Sequence, residues 1–107
     1  MKNHDRITAA FIAADKFFNL AIAAAKNGGF WVSAAGGTAS VVAGEIARAT
    51  GVDFVGACQA LDSMGKEYLG EDWYSELAWM QPGYDDPEEL RWDAREIARE
   101  ACMVVEQ

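Results

Sequence analysis

Between residues 7 and 25, apolar side chains return at three- and four-residue steps: Ile7, Phe11, Ala14, Phe18, Ala21, Ile22 and Ala25. That is the helical period, and it predicts a first helix over residues 5–26, capped by Asn3 or Asp5 and stopped by Asn27-Gly28-Gly29. A helix that long in a chain of 107 residues leaves room for a single domain. Its alanines keep the apolar face narrow. Another helix can therefore approach closely, from this chain or, in a homodimer, from a second copy.

The remaining segments read as further helices. Phe30 to Ala35 is strand-like at its start but too short to build a sheet, and is expected to pack as an apolar connector. Gly36-Gly37 breaks the chain, and Thr38 or Ser40 can cap a second helix that runs to about Ala49 and ends at Thr50-Gly51. Asp53 caps a third helix to about Met64, on which Phe54, Ala57, Cys58, Leu61 and Met64 form one stripe, placing Cys58 in the core. Gly65 and Gly70 are expected to loosen the chain beyond Met64. Residues 71–80 fit a short helix with Glu71 and Asp72 at its positive end, and Gln81-Pro82-Gly83 is a turn signal. The last helix has the clearest start: Asp86 as cap, Pro87 at the first position, Glu88 and Glu89 in the first turn. Its apolar stripe is Leu90, Ala94, Ile97, Ala98, Ala101 and Val105, with Cys102 beside it. Arg91, Arg95 and Arg99 form a second stripe, and Glu96 can pair with Arg99. The expected fold is all-α, a single compact domain (residues 1–107) of four to five helices.

Residues 43–62, Ala-Gly-Glu-Ile-Ala-Arg-Ala-Thr-Gly-Val-Asp-Phe-Val-Gly-Ala-Cys-Gln-Ala-Leu-Asp, resemble a helix-turn-helix core. Ala47 and Gly51 stand where that family has its packing alanine and turn glycine, and Ile46, Val52 and Leu61 supply apolar positions. The resemblance implies a small transcriptional regulator. The would-be recognition helix departs from the pattern, since it presents Asp53, Gly56, Gln59 and Asp62, with only Arg48 and Lys66 flanking. Such a surface forgoes the phosphate contacts that supply most DNA affinity.

Charge is unevenly placed. Residues 1–53 carry five basic and four acidic groups, a net of +1; residues 54–107 carry four basic and thirteen acidic, a net of −9, which together give the chain's −8. An acidic field repels nucleic acid and membrane phosphates and attracts basic protein surfaces. No apolar run is long enough to span a membrane, and Asp15 and Lys16 interrupt any signal-peptide core, so a cytoplasmic protein without membrane contact is expected. Catalytic and cofactor motifs are missing. Gly36-Gly37-Thr38 lacks the lysine of a phosphate loop. One histidine, His4, and two distant cysteines, Cys58 and Cys102, do not make a zinc site or a nucleophile–base pair. The adjacent acids lack calcium-loop spacing. The expectation is a non-enzyme without cofactor or metal.

Residues 67–93 interleave acids with aromatics. Trp73, Leu77 and Met80 fit one helical face and can be core, whereas Trp92 lies about 200° around its helix from Leu90, among charges. Interfaces favour Trp and Tyr as anchors, and flanking acids steer a basic partner in. The candidate partner-binding acids are Glu67, Glu71, Asp72, Glu76, Asp85, Glu88 and Glu89; the candidate rings are Trp73, Trp79, Tyr84 and Trp92.

The function expected from this surface is inhibition by docking on a basic, nucleic-acid-binding surface of a host protein or nucleoprotein complex, with no direct nucleic-acid contact. In size, acidity, helicity and lack of a catalytic motif, carried by the Glu67–Asp93 run, the chain resembles the anti-CRISPR proteins, small phage-encoded inhibitors of bacterial defence. That family shares no motif, so no residue roles transfer. The resemblance implies a CRISPR–Cas protein or surveillance complex as partner and DNA access as the step blocked. The alternatives are the helix-turn-helix regulator and a helical subunit of a larger assembly.

Overall fold

Alanine sets how closely these helices meet. In a computed structural model of the chain, which describes residues 3–26, 38–73 and 87–106, four helices follow one another: α1 (Asn3–Lys26), α2 (Thr38–Thr50), α3 (Phe54–Leu69) and α4 (Pro87–Cys102). Among the described residues there is no strand, and the fold is all-α. Ala10, Ala13, Ala14 and Ala21 of α1 are buried with Phe17 and Phe18, and they meet Ala57 and Ala60 of α3 and Ala94, Ala98 and Ala101 of α4 in one core. The small side chains of α1 therefore lie inside the chain's own core. α1 and α2 pack on each other, and both α3 and α4 pack on that pair.

The buried face of α1 is rotated from the one its periodicity suggested. Ala10, Ala13, Ala14, Phe17, Phe18 and Ala21 are inside, while Ile7 and Phe11 are exposed. Alanine and isoleucine satisfy the same period, and neighbouring helices cover the side where close approach is cheapest.

α2 and α3 are joined by three residues, so residues 43–62 do form a helix–turn–helix connection. Gly51 takes φ +78°, a left-handed conformation in which its N–H reaches Ala47 O at 2.9 Å and caps α2. The buried Thr50 hydroxyl donates to Ile46 O at 2.7 Å and accepts from Val52 N–H at 3.3 Å. Asp53 then caps α3, accepting from Gly56 N–H at 2.7 Å. Ile46, Val52 and Leu61 are buried, as the pattern required.

α3 does not stop near Met64. It continues through Gly65 to Leu69, because Gly65 is a notch rather than a loosening point: a Cβ there would lie 2.5 Å from the Trp73 indole. A mid-helix glycine costs about 1 kcal/mol, and the buried indole it admits offsets that. Of the expected stripe, Ala57 and Leu61 are buried with Ala60, Cys58 and Met64 pack partly buried at the core's margin, and Phe54 is exposed, so Cys58 is not in the core as its spacing suggested. In α4, Ala94, Ala98, Ala101 and Cys102 are buried and Ile97 packs beside them, as does Val105 just past the helix end, matching the expected stripe from Ala94 on; the Leu90 side chain lies outside the described residues. The connector at 30–35, the Gly36-Gly37 break, residues 74–80 of the short helix expected over 71–80, the turn at 81–83 and the Asp86 cap lie outside the described residues.

Candidate functional site

The acidic surface begins where α3 ends. Lys66 Nζ sits 3.0 Å from Asp62 Oδ2 and 3.7 Å from Glu71 Oε2. The Trp73 indole donates to Asp62 Oδ1 at 3.1 Å. That indole bond first, and Lys66 second, hold the Asp62 carboxyl below its ordinary range; the same ion pair raises the Lys66 ammonium. Glu67, Glu71 and Asp72 are exposed around this pair.

Trp73 leaves the set of docking rings. It is fully buried, edge-on to Phe18 at 5.2 Å, in the notch at Gly65. An indole next to a helix buries more apolar area in the core than an exposed site would allow, which is the core alternative its spacing offered. Tyr68 is similarly engaged: it stacks on Phe18 at 5.9 Å, donates to Asp15 Oδ1 at 2.6 Å and accepts from Asn19 Nδ2 at 2.8 Å. Donation to the carboxylate raises the Tyr68 phenol. Glu76, Trp79, Tyr84 and Asp85, and the side chains of Glu88, Glu89 and Trp92, lie outside the described residues.

Two features escaped the sequence reading. The first is a groove of about 560 Å³ between α1 and α3. The helices run in the same direction. Arg6 lies over Gly51 at the start of α3, and Asp15 and Asn19 meet Tyr68 near its end. Ile7 and Phe11 form one wall, Val55, Gln59 and Ser63 the other, with Val52, Asp53 and Gly56 completing it. Val55 is 63% exposed and Ile7 42%.

The second is a clasp between α2 and α4. Glu45, nearly buried, lies 3.1 Å from Arg48 Nε, 3.4 Å from Arg99 Nε and 3.9 Å from Arg95 Nε. Arg48 also reaches Glu106 at 3.1 Å, and Arg99 reaches Glu96 at 3.5 Å. Glu45 stands three residues after the buried Val42, so an acid on an apolar face was the signal for it. Arg48 and Lys66, the cations that flank the helix–turn–helix in sequence, are thus both bonded to carboxylates.

Among the described residues no group of His, Cys, Asp and Glu side chains could hold a metal ion. Burial, with Glu45 nearby, pushes the Cys102 thiol up to about 11, and burial also raises Cys58. Both shifts lower the share of reactive thiolate. No helix among the described residues is long and apolar enough to cross a membrane. No protein-family model, no curated protein and no solved structure matches this chain.

Proposed function

We propose that the chain is a non-catalytic inhibitor that docks its acidic surface on a basic, nucleic-acid-binding surface of a partner protein, a CRISPR–Cas complex being the partner that the family resemblance suggests. One observation carries the reading: Glu67, Glu71 and Asp72 all face solvent, while Lys66, the single basic residue between 62 and 89, is already bonded to Asp62 and Glu71. The resulting negative field would steer a cationic surface in and repel its nucleic acid competitor.

The test is charge reversal. Carboxyl-to-lysine cross-linking in a lysate of cells with active CRISPR–Cas immunity, followed by mass spectrometry, identifies the partner and the linked residues. Glu67→Lys, Glu71→Lys and Asp72→Lys together should abolish capture and restore interference with a targeted phage, with the thermal melt unchanged. Capture at undiminished affinity by the triple variant removes the acidic surface as the contact.

A second reading rests on the helix–turn–helix at 43–62. Its exposed side carries Asp53, Phe54, Val55 and Gln59, a composition suited to protein rather than to phosphate. This favours the motif as a scaffold within a protein-docking surface.

A further inference from the structure

The walls of the α1/α3 groove are two rows of side chains at four-residue spacing. On α1 the row is Ile7 and Phe11, and on α3 it is Val55, Gln59 and Ser63; at the same spacing the next residues beyond the lining are Asp15, which meets Tyr68 across the α1/α3 seam, and the exposed Glu67. Each row thus starts apolar and leads to a carboxylate just past the groove, and both carboxylates lie toward the same end because the helices are parallel. Asp53 adds a carboxylate at the other end, and no basic residue lines the groove. Rows of this spacing are the ridges between which a third helix packs. From Ile7 to Asp15 the α1 row runs about 12 Å at the helical rise, roughly two turns.

The walls are too exposed for an enclosed small-molecule site, which surrounds most of its ligand. Ile12 and Phe54, next in sequence to the wall residues Phe11 and Val55, are exposed as well. A second copy is disfavoured by charge, since two chains of net −8 repel. The complementary object is a helix with apolar residues on one face and cations at its end.

We propose that the α1/α3 groove seats an amphipathic helix of a basic protein partner, its apolar residues against Ile7, Phe11 and Val55 and its lysine or arginine residues against Asp15 and Glu67. This deepens the docking reading and rests on its premise that the partner is a basic protein.

The experiment titrates the full-length, ¹⁵N-labelled chain with a synthetic helical peptide carrying leucines at i, i+4 and i+7 and lysines in its last turn. Saturating shifts should appear at the amides of Ile7, Phe11, Val55 and Gln59. A peptide with glutamate for lysine should bind at least about tenfold more weakly, as should the chain bearing Val55→Glu. Val55 is an exposed first-turn position where glutamate suits the helix, so the melt of that variant should not change. Shifts that are absent or lie elsewhere overturn the proposal, as does equal binding of the glutamate peptide. Sedimentation showing a dimer that Val55→Glu dissolves overturns it in favour of a second copy. Glu71 and Asp72 do not line the groove, so the Glu71→Lys, Asp72→Lys variant separates the two readings. Peptide bound with partner capture intact sinks the acidic-surface reading alone. No peptide shifts on the unaltered chain, with capture lost in the variant, sinks the groove alone.

Discussion

Gly65 and Trp73 work as one unit. The missing Cβ at Gly65 is the space the indole occupies, at 2.5 Å from where that Cβ would stand. The indole in turn bonds Asp62 one turn before the notch and touches Phe18 of α1, so a single ring ties the end of α3 to the first helix. Helix propensity alone says that alanine should improve position 65 by about 1 kcal/mol. Packing says the opposite, because the Cβ would meet the rigid ring rather than the end of a flexible chain. We expect Gly65→Ala to destabilise by about 1–3 kcal/mol, the usual cost of overpacking. Urea unfolding followed by tryptophan fluorescence measures it, and a gain in stability would show that the indole does not fill the notch.

At the scale of helices, two kinds of contact hold the bundle. α1 meets α3 through small apolar residues and the Phe17–Phe18–Tyr68–Trp73 aromatic group, whereas α2 meets α4 partly through charge. The arginines of that clasp are about half exposed, and each pair taken singly contributes little. Glu45 differs because its side chain is only 11% exposed and serves three cations together. Removing its charge leaves a nearly buried amide facing three guanidinium groups. Glu45→Gln should therefore cost about 1–2 kcal/mol, and Arg99→Gln less than about 1 kcal/mol. Chemical denaturation of the two variants and their double mutant checks this. Equal effects would mean that the carboxylate is not shared.

At the scale of the molecule, charge and shape point in one direction. A net charge of −8 opposes the approach of polyanions, and two of the cations near the helix–turn–helix, Arg48 and Lys66, are held by Glu45, Glu106, Asp62 and Glu71. Duplex DNA should accordingly leave no mark: the fluorescence anisotropy of a labelled short duplex should stay unchanged on adding the protein, even in low-salt buffer. Binding with a steep negative salt slope, lost on changing Gln59 or Arg48, would instead make the chain a DNA-binding regulator.

The helices, their caps at Asp53 and Gly51, the turn between α2 and α3, and the acidity of the second half were readable from residue order. Each depends on backbone geometry within a few residues or on a simple sum of charges. Tertiary packing alone decided which side of α1 went inside, that Trp73 is core rather than contact, that Glu45 gathers three arginines, and that α1 and α3 leave an apolar groove ending in carboxylates. Periodicity fixes that a helix has an apolar side. It does not fix which of several adequate sides is covered, because that depends on how closely each neighbour can approach, and alanine makes several approaches nearly equal.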